Sequence, residues 1–252
     1  MKTLILTLLV CVQACGAGFF AAQQAVIGGS ETPAEFNPSD YGTVLAWFSL
    51  RKETGFSDGD SIGTLTDFSS QGKDLSQGTT AAKPLFKTSI VNGHPAMLMD
   101  GVDDFLLASS SVGTDYKTVF VVAYYSGATF ANYGGLLSSG VANENQVPLQ
   151  GNVGTTYFYN ALKTTTYWKD GVSYPETGMT GPMNAWAVMR HQASSGWQAA
   201  TTIQIGKDRT FAGRFWSGYV TEVIYYQEEL STEDCEAVED ALGGLFNITI
   251  TH

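Results

Sequence analysis

Apolar and polar residues alternate along this chain in short runs separated by Gly, Asn, Asp and Pro, a pattern of β-strands joined by turns. Residues 43–50 (TVLAWFSL) read as the first strand and residues 96–99 as another. Residues 118–125 (TVFVVAYY) are almost unbroken apolar, which predicts a central strand covered on both faces. Shorter strands are expected at 134–139, 155–159, 165–168, 184–190 and 201–205. Residues 90–95 read as a turn, and Asp170-Gly171 after Trp168 has the composition of a tight hairpin. The last predicted strand, 216–226, is rich in β-branched and aromatic residues. The period then changes. Ser231 is placed to cap a helix, Asp234 can reach back to it, and Ala237, Val238, Ala241, Leu242 and Leu245 recur at helical spacing. Gly243-Gly244 is the expected end of that helix. The pattern predicts one all-β domain over residues 43–252, a two-sheet antiparallel β-sandwich of jelly-roll type with a short C-terminal helix. Residues 26–42 have no period and read as a leader or linker.

Composition adds compartment and partner. Met1-Lys2 followed by an apolar run over 3–12 and small residues at 14–18 has the anatomy of a secretory signal peptide, assigned here to residues 1–25. Val12-Gln13-Ala14-Cys15 also resembles a degenerate lipidation site, and a retained hydrophobic arm packing on a partner is the alternative. A membrane would be met only through this segment. The net charge of -11, with no run of Lys or Arg, excludes nucleic acid as a partner, because phosphates would be repelled. Of three cysteines, Cys11 and Cys15 fall in the leader, so Cys235 is left without a disulfide partner and reads as a small packed hydrophobe.

Two stretches resemble a known group. Ile205-Gly206-Lys207-Asp208, then residues 215–226, then Leu230-Ser231 and an acidic helix, form an ending typical of the concanavalin A-like lectin/glucanase superfamily, in particular its laminin-G-like bacterial and phage members. Asp100-Gly101-Val102-Asp103-Asp104-Phe105-Leu106 is similar to a hairpin motif of the same domains. The irregular segment 55–75 resembles a third, with Leu65 where a Trp is usual. The resemblance covers about residues 44–246 and implies the sandwich fold. Many laminin-G-like members hold calcium at a rim of the sandwich. That implication turns attention to Asp58 and Asp60 around Gly59, and to Asp100, Asp103 and Asp104, as hard oxygen ligands, although Asp-Gly pairs also simply form turns.

Catalytic patterns are sparse. A retaining glycosidase needs two carboxylates about 5 Å apart, which alternate acids on a strand deliver. The E-x-D-x-E pattern of the superfamily's glucanases is absent, Glu222 is the only acid of the closing strand, and the acids after it belong to the following loop and a helix whose acidic face is expected to be solvated. His94 and His191 are far apart and no zinc spacing occurs. His191 is expected at a surface or edge. Sugars are bound by aromatic faces together with Asn, Asp and Gln hydrogen bonds. Trp197, in a polar loop, is the first aromatic candidate, and Tyr133 beside Asn132 the second. Tyr157 and Tyr159 share a face by alternation. The expected function is non-catalytic, lectin-like recognition of a glycan or surface glycoconjugate, extracellular or at the cell surface. The alternatives are a structural decoration or fibre component of a phage virion or other surface assembly, and a glycoside hydrolase with an atypical acid pair.

Overall fold

The computed structural model describes residues 35–110, 116–140, 149–159, 165–174, 178–193 and 202–252. Fourteen strands and one α-helix are described: β1 Val44–Ser49, β2 Thr64–Leu65, β3 Leu75–Ser76, β4 Leu85–Val91, β5 His94–Asp100, β6 Leu106–Ala108, β7 Thr118–Tyr125, β8 Gly135–Ser138, β9 Leu149–Gln150, β10 Thr165–Lys169, β11 Val172–Tyr174, β12 Trp186–Ala193, β13 Gln204–Ile205, β14 Ser217–Tyr226 and α1 Thr232–Phe246. They form two antiparallel sheets. The larger runs β11-β10-β12-β7-β14-β5-β4, and the smaller β2-β3-β6-β13-β8-β9. β14 organises the larger sheet. One of its edges pairs with β7 along most of its length, while the other is shared between β5 at Ser217–Val220 and β1 at Glu222–Tyr226. Thr221, an extra residue in the β7 ladder, makes the bulge that separates the two halves. The fold is therefore the two-sheet sandwich with one C-terminal helix that the hydrophobic pattern predicts.

Strand alternation sorts the core into two layers. Between the sheets lie Phe48, Met97, Leu106, Val121, Ile205, Trp216 and Tyr225. On the opposite face of the larger sheet, Trp47, Phe120, Ile224 and Tyr226 pack with Cys235, Val238, Leu242 and Phe246 of α1. This explains why β7 is apolar on both faces: one side meets the smaller sheet and the other meets the helix. Among the described residues no helix is long and apolar enough to cross a membrane.

Several expectations are corrected. Asp100–Leu106 is not a hairpin between paired strands, because β5 belongs to the larger sheet and β6 to the smaller. The link crosses between layers, and its Asp and Gly residues turn the chain there. The hairpin lies one connection earlier, where Asn92 and Gly93, both at positive φ, join β4 to β5. The Ser231 cap forms as expected, its hydroxyl accepting from the Asp234 amide at 3.1 Å. The helix nevertheless runs through Gly243-Gly244 and ends at Asn247 in the left-handed conformation. Gly243 is needed for another reason, since a Cβ there would meet Ile250 at 2.5 Å. Residues 36–42, assigned to a linker, include a short 3-10 turn at Pro38–Asp40, and the buried Pro38 accepts from the Tyr226 hydroxyl at 3.0 Å.

Two polar residues, Glu239 and His191, also differ from expectation. Glu239, on the helix face expected to be solvated, is buried against Arg190 at 3.1 Å. His191 is buried beside the Tyr167 ring rather than at a surface. Glu222 is wholly enclosed, accepting from the Trp47 indole and from the Ser49 hydroxyl at 2.8 Å, with Arg51 at 3.5 Å.

Candidate functional site

Three loops meet at one end of the sandwich: residues 126–134 between β7 and β8, residues 151–159 after β9, and residues 206–216 between β13 and β14. Phe130 is their anchor. Its fully buried ring packs on Tyr125, Phe158 and Trp216, with centroids 4.8, 5.2 and 6.0 Å away. Gly151 and Gly181 each lie so near it that a Cβ would come within 2.5 Å of the ring. Backbone bonds tie the first two loops together, from Phe130 N to Thr155 O and from Gly154 N to Phe130 O, both 2.8 Å. The third loop folds over the outer face of the smaller sheet. There Ser138 Oγ accepts from Arg209 N, while the Gln204 amide donates to Lys207 O and Arg209 O, each 2.9 to 3.0 Å. Gly135 makes this close seating possible, because a side chain there would overlap the Asp208 backbone.

On this scaffold aromatic rings and guanidinium groups alternate in one contiguous strip. Tyr159 meets Tyr133 edge to face with centroids 6.0 Å apart, the Arg214 guanidinium lies 4.9 Å from the Tyr133 ring and 4.3 Å from Phe211, and Arg209 lies 4.7 Å from Phe211. Tyr159 is 47% exposed and Phe211 38%. Beneath them Asp208, fully buried, receives Arg209 Nε at 2.6 Å and Arg214 Nη1 at 2.8 Å. Exposed rings held by a rigid, hydrogen-bonded base suit stacking on the C–H face of a sugar. Asn132, next to Tyr133, keeps a buried Oδ1 that has no hydrogen-bond partner among the described residues.

The sequence candidates fall as follows. Tyr157 and Tyr159 are both exposed and flank the buried Phe158, as alternation predicts. Tyr133 and Tyr159 are brought together, with Asn132 beside them, whereas Trp197 lies outside the described residues. Asp58 is engaged by Lys87 at 2.6 Å, which with the Thr88 amide holds its carboxyl below the usual range. Asp60 accepts from the Ser57 amide at 2.7 Å. Asp60 thus serves its own turn, and Asp58 ties that turn to β4. Asp100, Asp103 and Asp104 do converge, with carboxylate oxygens within 4.8 Å of one another, and are the described residues that could hold a hard cation. Burial, with the two neighbouring acids, pushes Asp104 up to about 6. Its Oδ2 accepts from the Asp100 amide and Asp100 Oδ1 from the Val102 amide, so the turn itself also uses these groups.

Sequence reasoning missed Arg214, Phe211 and Asp208. Their signal was the density of cations in KDRTFAGR at 207–214, three of the chain's 13 Lys and Arg. It also missed a second aromatic group on the larger sheet. Trp186, Tyr124 and Tyr219 are direct cross-strand partners and touch one another at 5.8 to 6.1 Å. All three are only half-buried.

No protein-family model matches this chain, and no curated protein matches it. Among solved structures it is similar to domain 4 of AbnA, a GH43 extracellular arabinanase from Geobacillus stearothermophilus, determined in complex with arabinotriose. The likeness has a TM-score of 0.50 and covers 82% of this chain and 99% of that one, at 10% identity. At that identity the shared property is the β-sandwich fold.

Proposed function

We propose that this chain is a non-catalytic, lectin-like recognition domain of the concanavalin A-like, laminin-G-like kind. It acts outside the cytoplasm and binds a glycan or surface glycoconjugate through the rim strip of Tyr159, Tyr133 and Phe211. The observation that carries this reading is the contact between Tyr133 and Tyr159. These two aromatics come from different loops, are independently suggested by the sequence, and sit over a base locked by Phe130. The arabinotriose bound to the similar domain of AbnA supports glycan as the ligand class. The absence of the glucanase acid pattern supports recognition rather than hydrolysis.

The test is a glycan array probed with the native chain and with Tyr159→Ala. Stacking of one ring on one sugar contributes on the order of 1–2 kcal/mol, so the variant is expected to bind its best glycan about tenfold more weakly. Its melting temperature should stay close to the native one, because Tyr159 is largely exposed. Undiminished binding by the variant would move the site elsewhere. No binding to any glycan would remove the lectin reading and favour the assembly component.

A further inference from the structure

We propose that the rim selects glycans bearing an anionic group, a carboxylate or a sulfate, beside the sugar stacked on its aromatics, with Arg214 as the recognising group and Arg209 in support. The inference rests on the reading of the rim as a glycan site. It starts from charge. The chain is acidic overall, at -11, yet residues 207–214 carry Lys207, Arg209 and Arg214 against Asp208 alone. That one carboxylate is wholly buried and binds both guanidinium groups, through Arg209 Nε at 2.6 Å, Arg209 Nη2 at 3.2 Å and Arg214 Nη1 at 2.8 Å. Within residues 207–214 one negative charge faces three positive ones, so this segment carries a local excess of positive charge on an otherwise acidic chain.

The geometry says which cation is available. Lys207 lies over the Phe105 and Phe215 rings at 4.5 and 5.3 Å. The Arg209 side chain is 6% exposed, and its Nη1 is buried with no hydrogen-bond partner among the described residues. Arg214 is 31% exposed and lies between Tyr133 and Phe211. Asp208 fixes its orientation through Nη1. A guanidinium held in place in this way presents its other N–H groups as a fork suited to a carboxylate or sulfate, and pre-orientation reduces the entropy lost on binding. Aromatic rings on either side then place the sugar that carries the anion.

Calorimetric titration with matched probe pairs tests this. One pair is oligogalacturonate and its methyl ester, and the other a sulfated galactan oligosaccharide and its desulfated form. The charged member of at least one pair is expected to bind about tenfold more tightly than its neutral partner, with the advantage shrinking as salt rises from about 50 to 300 mM. Which pair shows the difference identifies carboxylate or sulfate. Arg214→Gln should remove the difference, and Arg214→Lys should keep only part of it, whereas Tyr159→Ala should weaken both members alike. Equal affinity within both pairs, or a full set of neutral array ligands, overturns this inference and leaves glycan binding standing. Failure of every glycan to bind overturns both. The comparison within each pair uses the native chain and does not depend on any variant folding.

Discussion

Replacing Asp208 by alanine is expected to destabilise the domain by about 3–5 kcal/mol in equilibrium urea unfolding, the usual cost of removing one partner from a buried ion pair. The cost comes from the charges that would remain. Asp208 is fully enclosed and accepts from both arginines, and Arg209 is almost as buried. Without the carboxylate, Arg209 keeps its charge in a site that water reaches poorly, and its Nη1 already lacks a partner among the described residues. Asp208→Asn retains the shape and one acceptor and should lose less. The loop is also tied to Ser138 and Gln204 beneath it, so its loosening would disturb Arg214 and Phe211 and take glycan binding with it. A loss below about 1 kcal/mol would place the three charges in solvent and contradict the account of a rigid rim.

Stability is expected to be greatest near about pH 4 to 5 and to fall by about 1–3 kcal/mol by about pH 7. Burial pushes the carboxyls of Glu222 and Glu239 up to about 7 each, against the opposing pull of Arg51 and Arg190. Asp104 is raised to about 6. A carboxyl raised on folding contributes stability that is fully present below its unfolded pKa and is lost as pH rises through its folded value. For these three the loss spans about pH 4 to 7. His191 works the other way, because burial lowers it to about 3, so folding is opposed once the unfolded ring protonates below about 6.5. Three carboxyls against one imidazole leave the net slope downward with pH. Urea unfolding across this range checks it, and Glu222→Gln should flatten the curve. A curve that is flat or rises towards about pH 7 in the native chain would show that these acids are less desolvated than their burial implies.

The strands and the closing helix were readable because burial on one face forces a period of two or 3.6 whatever the neighbours are. The limits of that rule explain the errors. Asp100–Leu106 looks like a hairpin because a Gly-permitted turn has the same composition whether the next strand pairs or crosses to the other sheet. Glu239 looked solvated because its partner, Arg190, belongs to a strand distant in sequence, and only the packing of α1 on the larger sheet brings them together. The same holds at the rim. Tyr157 and Tyr159 follow from alternation within one segment, whereas the placing of Arg214 against Tyr133 depends on how the β13–β14 loop folds over the smaller sheet. Local pattern carries no information about that pairing.

The proposed site places glycan at this rim and not on the aromatic group of the larger sheet. The most direct test is a titration of the isotopically labelled native chain with its best array glycan, followed by amide chemical shifts. The account predicts that the shifts concentrate at Asn132–Gly134, Tyr157–Tyr159 and Phe211–Arg214, with Tyr124, Trp186 and Tyr219 unmoved. Shifts centred on Tyr124, Trp186 and Tyr219, with the rim silent, would contradict it.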